Sequence, residues 1–301
     1  MTRIEQFGWR GAVEPGIGRV VSAHGDYYHL VCNEQPTGEV LARKKKSAFT
    51  RMKSQAPDNM KAARFAKRAN QSTQPLNLST PQLPITGDFV RFRYNAQGES
   101  MITEVLPRFS HFERKDPTAK RTSQTLAVNF DTLFVMMSLN ENFSTARIRR
   151  YLDLARDMGA AEVVVVVTKV DLRQDGDEEF FEELRDEVGD DARILEISSL
   201  SGEGMELVDE YVKPGKTLAF IGSSGVGKST LLNTLMGEEW QATQEIQEWS
   251  GKGRHTTTSR ELVMLPSGAM VIDTPGIREI GMLGEEEIVR AKGEATHRWR
   301  K

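Results

Sequence analysis

Between Gly18 and Val40, apolar and polar positions alternate in short runs, RVVSA, YYHLVC and GEVLA, with Gly, Asp and Pro between them. A period of two marks strands with one buried face. ITGDFVRFRYNAQGESMITEVLP (85–107) continues the pattern, with turn residues at Gly87-Asp88 and again from Asn95 to Gly98. Short strands this close together predict a small all-β barrel or sandwich. FSHFERKDPTAKRTSQ (109–124) has no period and is expected to be a linker.

Beyond it the pattern changes. LAVNFDTLFVMMSL (126–139) and AEVVVVV (161–167) read as strands, the second apolar on both faces as in the middle of a parallel sheet. STARIRRYLDLARDMG (144–159) lies between them, a helix with Ser144 as N-cap, apolar Ile148, Leu152 and Ala155, and Gly159 at its end. The alternation continues through helix 177–189, strand 193–198, helix 202–212, strand 216–222, helix 228–237 and the strands ELVMLP and AMVIDT. Strands alternating with helices predict an α/β sheet covered on both faces. The expected domains are a barrel over 1–110 with an insertion at about 42–84, a linker over 111–124, an α/β domain over 125–284 and a tail over 285–301.

Charge sharpens this division. Residues 1–130 hold 20 Lys/Arg against 11 Asp/Glu, and the remainder holds 20 against 32, so the front is basic and the back acidic. The excess is concentrated in ARKKKSAFTRMKSQAPDNMKAARFAKR (42–68), where ten cations face the single acid Asp58. This stretch is either a solvated loop or a contact to a phosphate backbone that orders on RNA. The only cysteine, Cys32, cannot form an internal disulfide or a Cys-rich zinc site and reads as a small buried hydrophobe. No long apolar run and no apolar stretch behind a basic start is present, so a soluble cytoplasmic chain without a cleaved leader is expected, with no membrane partner and a monomeric state.

GSSGVGKS (222–229) fits G-x-x-x-x-G-K-[ST] and lies between an apolar strand and an amphipathic helix, where such a loop cradles phosphates. Amides of Gly222, Ser223, Ser224, Gly225, Val226 and Gly227 would curl around the phosphates. Lys228 supplies a point charge to the β/γ oxygens, Ser229 offers a hydroxyl to Mg²⁺, and Thr230 completes the motif's edge. DTPG (273–276) ends a strand, so Asp273 would reach Mg²⁺ and the Gly276 amide would sense the terminal phosphate. TKVD (168–171) follows VVVVV at another strand end. The Asp171 carboxylate can accept from the ring N1–H and exocyclic amine of guanine, whereas adenine presents an acceptor there. The Lys169 stem can cover one face of the base, and Ser198 and Ser199 of EISSLSG (196–202) can bring an amide to its oxygen. Thr168 stands where Asn is usual and lacks the amide that ties this loop to the phosphate loop, so weaker nucleotide binding is an expectation. In GRHTTTSR (253–260), Thr256, with Thr257 as the alternative, would complete the Mg²⁺ shell when the γ-phosphate is present. Ile277 cannot orient an attacking water, so slow intrinsic hydrolysis is expected, with His255 or a partner's group positioning that water.

In sequence order the motifs run guanine reader, companion loop, phosphate loop, switch and DTPG, which is a circular permutation of the usual GTPase order. With a small barrel in front, this order resembles the ribosome small subunit-dependent GTPase A family, also called YjeQ or EngC. The resemblance spans about residues 18–283 through LPITGDFV, ITEVLPRFSHFER, QTLAVNFDTLFV, RRYLDL, TKVDL, SGEG, GSSGVGKSTLLN, GRHTTTSREL and DTPGIRE. It implies a permuted P-loop GTPase domain behind an OB-fold that docks on 16S rRNA, with bound GTP or GDP and Mg²⁺. It further implies hydrolysis stimulated by the 30S subunit and a role late in that subunit's maturation. The rRNA contact then falls on the barrel and its cationic stretch from Arg43 to Arg68. Family members continue into a domain holding zinc through three cysteines and a histidine. After Met282 this sequence offers only His297, so no bound zinc is expected, and the chain is either truncated or docks differently. The alternative function is a nucleotide-gated RNA- or ribosome-binding module with negligible turnover; an ATPase is disfavoured by Asp171.

Overall fold

The computed structural model describes residues 1–45, 49, 83–115, 123–139, 144–156, 158–159, 161–237 and 260–273. In the front part, β1 (Ile17–His24), β2 (Tyr27–Cys32), β3 (Val40–Lys44), β4 (Phe89–Arg93) and β5 (Ser100–Val105) join in the order β1-β2-β3-β5-β4, and β4 pairs back onto β1. This closes a five-stranded barrel, as the alternating runs predict, and its order is that of an OB-fold. The inward positions Val20, Leu30, Val40, Ala42, Val90, Phe92 and Ile102 pack together inside it. Cys32 lies among them, and burial pushes its thiol up to about 11, an inert small hydrophobe as expected.

The second part is a sheet in the order β10-β9-β8-β11-β13-β12. Its strands are β8 (Thr132–Ser138), β9 (Glu162–Thr168), β10 (Arg193–Ile197), β11 (Thr217–Ile221), β12 (Glu261–Met264) and β13 (Met270–Asp273). All neighbours are parallel except β12, which runs antiparallel to β13. Along β8, Leu133, Val135 and Met137 face a core shared with α2 (Thr145–Ala155) and α3 (Glu178–Val188). Phe134 and Met136 face the other side, toward α4 (Met205–Val208) and α5 (Lys228–Met236). The strand is buried throughout, and apolar without a break from Leu133 to Met137, because both its faces are covered.

Three expectations are corrected. The stretch read as a linker contains β6 (His111–Lys115), which pairs antiparallel with β7 (Ser123–Val128). Phe112 is its one buried apolar side chain, too few for a period to show. The run 126–139 is two strands, because Asn129 takes a left-handed backbone (φ 53°) and breaks the extended path. Helix 202–212 shrinks to Met205–Val208, although Tyr211 and Val212 beyond it are still buried. The basic stretch begins inside β3, and its residues 46–48 and 50–68 lie outside the described residues.

The barrel and the sheet are joined. Ser22 of β1 pairs with Glu261 of β12, and Thr86 Oγ1 donates to the Arg260 carbonyl at 2.9 Å. A short N-terminal helix, α1 (Arg3–Gln6), which the hydrophobic pattern did not reveal, packs Ile4 beside Ile17, Phe89 and Leu106. At the centre of the junction Arg19 is 0% exposed. Its guanidinium donates to the carbonyls of Phe7 (2.6 Å) and Asn129 (2.8 Å) and to Thr217 Oγ1 (3.0 Å). It also stacks over Phe89. Burial pushes this group down to about 9, which still leaves it protonated at neutral pH. Arg108 forks both oxygens of the buried Asp88 at 2.7 Å alongside.

Candidate nucleotide site

In the parallel part of the sheet, chain order runs from β8 outward through β9 to β10, then returns to place β11 on the other side of β8. The direction of winding therefore reverses between β8 and β11, and open α/β sheets bind ligands at that point, outside the carboxyl ends of the strands. The ends in question are Thr168 of β9, Ile197 of β10, Ile221 of β11 and Asp273 of β13. Register puts Ser138, Thr168 and Ile197 in one row. TKVD, ISS and the phosphate loop thus leave the sheet along one edge.

The phosphate loop runs from Ile221 to the first residue of α5, Lys228. Gly222 (φ 151°) lies so close to β8 that a Cβ there would meet the Met136 carbonyl at 2.4 Å, so no side chain is tolerated. Gly227 is the N-cap of α5 in a left-handed conformation, and the helix's first amides and its positive dipole end lie at the loop. Val226 is buried, whereas Ser224, Gly225, Ser229 and Thr230 are exposed. Lys228 Nζ donates to the carbonyls of Gly222 (2.7 Å) and Ser223 (2.6 Å), which holds the ammonium across the loop. Arg147 of α2, which the sequence reading passed over, brings Nη1 to 3.5 Å from Ser223 Oγ; nothing in its spacing announces this.

TKVD meets that loop directly. Thr168 is 3% exposed, and its hydroxyl lies 2.7 Å from the Val226 carbonyl and 3.0 Å from the Met137 carbonyl. One hydroxyl hydrogen serves one acceptor at a time, and the shorter contact is the one to the phosphate loop. The tie expected to be missing is therefore present, made by an oxygen where an amide is usual. Lys169 takes a left-handed backbone (φ 60°, ψ 38°), uncommon for a residue with a Cβ and typical of strained functional positions. That turn opens the 3₁₀ segment Val170–Leu172, in which Val170 is buried and Asp171 exposed. Ser198 Oγ donates to Asp171 Oδ1 at 2.5 Å and accepts from the amides of Leu200 (3.2 Å) and Ser201 (3.1 Å). The other carboxylate oxygen has no hydrogen-bond partner among the described residues. Ser199 is half-buried beside Met205.

Of the remaining candidates, Asp273 ends β13 opposite Glu261, and its side chain lies outside the described residues. His255, Thr256, Thr257, Gly276 and Ile277 also lie outside them, as does His297 of the tail. Among the described residues no cluster of metal-ligating side chains occurs.

The model of the RsgA GTPase family matches residues 105–283, more than half of the chain. The chain belongs to that family. It is 43% identical over 202 residues to a "Small ribosomal subunit biogenesis GTPase RsgA" of Leptospira interrogans, covering 67% of this chain and 55% of the relative. A Listeria monocytogenes protein named "Small ribosomal subunit biogenesis GTPase RsgA 2" is 34% identical over 286 residues, covering 93% of this chain and 72% of the relative. The chain thus spans little more than half the length of the Leptospira relative. Among solved structures it is similar to YjeQ from Thermotoga maritima, at 25% identity and a TM-score of 0.57, over 86% of this chain and 74% of the other. Family membership agrees with the barrel and the permuted GTPase domain described above.

Proposed function

We propose that this RsgA-family chain binds GTP and hydrolyses it to GDP and phosphate, acting as a maturation factor for the 30S subunit in the cytoplasm. The observation that carries the reading is the hydrogen bond from Thr168 to the Val226 carbonyl, because it makes the base-reading and phosphate-binding loops two walls of one crevice. A nucleotide fits these residues. Asp171 keeps one oxygen for the guanine edge while Ser198 fixes the other. Lys228 can exchange two loop carbonyls for phosphate oxygens, which are stronger acceptors for an ammonium. Mg²⁺, when bound, would neutralise charge on the β- and γ-phosphates, with Ser229, Asp273 and Thr256 or Thr257 as its protein ligands. Gly276 senses the terminal phosphate through its amide, and His255 or a group supplied by a partner positions the attacking water, which Ile277 cannot orient. Equal single-turnover rates for the parent and His255→Ala would remove the histidine from that role.

The barrel is the proposed contact to 16S rRNA. Among its described residues Arg43 is already engaged by Glu99 (2.7 Å) and stacked on Tyr27, and Lys44 by Asp26 (2.8 Å). Phosphate contacts are therefore assigned to Lys45 and the cationic residues that follow it. Cosedimentation with 30S particles should weaken steeply with salt, and a flat response would argue for a solvated loop. GTPase rates with and without saturating 30S particles test the main reading, with stimulation expected. Ile277 favours one second reading, a nucleotide-gated RNA-binding module with negligible turnover. Absence of stimulation would select it. Asp171→Asn should shift preference from GTP to xanthosine triphosphate, since the amide complements the xanthine edge.

A further inference from the structure

We propose that Arg147 is a second cation for the terminal phosphate of GTP, gripping it together with Lys228 and stabilising the charge redistributed in hydrolysis; this rests on the GTP-hydrolysing role proposed above. β8 and β11 are parallel neighbours with Val135 opposite Ile221, and β8 runs on to Ser138. α2 follows at Thr145, so its first turn and the phosphate loop both emerge where the winding of the sheet reverses. Two elements take hold of the loop at different places. Thr168, on the side of the base reader, contacts Val226 at 2.7 Å, whereas Arg147 Nη1 lies 3.5 Å from Ser223 Oγ. Lys228 is the residue that reaches the β- and γ-phosphates in a loop of this sequence. Its Nζ rests on the carbonyls of that same Ser223 (2.6 Å) and of Gly222 (2.7 Å). Both cations therefore converge on the part of the loop that Thr168 does not touch.

Two cations drawn to one residue repel each other, and a phosphate between them turns that repulsion into attraction. Arg147 is also the third residue of α2, where the positive end of the helix disfavours a cation. Arg149 and Arg156, farther along, turn to Asp191 at 3.0 Å each, but Arg147 turns to the phosphate loop. The helix alone gives no reason for a cation there; an anion at the loop does. At 3.5 Å the contact to Ser223 is weak, and a phosphate oxygen is a stronger acceptor for a guanidinium with five N–H donors. In hydrolysis the water oxygen bonds to the γ-phosphorus as the bond from that phosphorus to the β–γ bridging oxygen breaks, and the bridging oxygen leaves with GDP. One water proton stays on the released phosphate and the other passes to solvent. Arg147 neither gives nor takes a proton; its charge acts on the phosphate oxygens. GDP lacks the terminal phosphate, so the arginine separates GTP from GDP.

The test measures binding of GDP and of a non-hydrolysable GTP analogue, single-turnover GTP hydrolysis and denaturant unfolding in the parent, Arg147→Ala, Arg147→Lys and Arg150→Ala. Arg150 is exposed on the same helix and controls for the loss of a positive charge. Arg147→Ala should bind GDP within about twofold of the parent and unfold at the same midpoint, yet bind the analogue about tenfold more weakly and hydrolyse saturating GTP about a hundredfold more slowly. Arg147→Lys keeps the charge without the fork and should recover part of the analogue affinity. Arg150→Ala should match the parent in every assay. An analogue bound by Arg147→Ala as tightly as by the parent, or weakened only as much as GDP is, overturns the proposal. Equal losses in Arg150→Ala overturn it too, by making the effect one of overall charge. A parent that binds both nucleotides and never hydrolyses GTP removes the hydrolase reading and the part of Arg147 in it, and the analogue then decides the phosphate contact alone. A parent that binds neither nucleotide overturns both.

Discussion

The junction between barrel and sheet and the crevice at the strand ends are both rich in polar groups, and they handle them in opposite ways. At the junction, Arg19 and Asp88 are fully buried and held by multiple donors or acceptors, and Asn129 uses its backbone and both ends of its side-chain amide. In the crevice, Asp171 has one oxygen held and one without a partner among the described residues, and the serine and threonine that open α5 are exposed. Closed polar networks rigidify, whereas a group held on one side only is poised for a ligand. On the function proposed above, the first region serves stability and the second serves binding, so substitutions in the two should fail in different assays.

The largest separation is expected from Arg19→Met. It removes a buried charge and leaves the carbonyls of Phe7 and Asn129 without their donor, which should cost about 3–5 kcal/mol. Denaturant unfolding should show the loss as a lowered midpoint, and folded material should still bind GDP as the parent does. Unchanged stability would end the claim that the junction is a closed unit. Next in size is Lys228→Ala, which should leave the unfolding midpoint within about 0.5 kcal/mol of the parent. It should weaken GTP by about 1.5–3 kcal/mol through the lost charge-assisted contacts. Calorimetric titration with GTP checks it, and a large stability loss would show that the lysine's contacts to Gly222 and Ser223 serve the fold.

Why one region was legible in the sequence and the other was not follows from the same contrast. The crevice is written in local patterns: a glycine-rich loop between strand and helix, and short motifs at strand ends, where side chains must face a ligand. The barrel and the alternating sheet were equally legible, since burial on one or both faces sets a period that survives in the order of residues. The junction is written in contacts across more than a hundred residues, such as Arg19 to Thr217, and an arginine inside an alternating strand looks like any solvent-facing position. Asn129 was lost for the same reason: nothing before folding shows that its left-handed turn is held by Ser110 and Gly87. Thr168 was misjudged because the motif names a side chain, while the tie needs only a donor placed 2.7 Å from Val226.

Thr168→Val sharpens the comparison further, because this residue is as buried as the junction yet belongs to the crevice. Valine keeps the shape and removes the one donor hydrogen that the Val226 and Met137 carbonyls share, at a cost of about 1–2 kcal/mol. Because one of those carbonyls lies in the phosphate loop, the loss should appear as weaker GDP binding as well as a lower midpoint. Thr168→Ser should restore both, since it keeps the hydroxyl.

The smallest effect is expected at the seam itself. Thr86→Val removes the donor to the Arg260 carbonyl, the residue from which β12 starts toward its pairing with β1. The adjoining Arg260 guanidinium still donates to Thr125 at 2.7 Å, and the strand pairing remains. A single neutral hydrogen bond at a place secured twice over should therefore cost about 1 kcal/mol in denaturant unfolding, with GDP affinity unchanged. A Thr86→Val variant that bound GDP more weakly while unfolding like the parent would reverse the assignment of the two regions. It would mean that the start of β12 belongs energetically to the crevice, and that the barrel reaches the nucleotide through this strand.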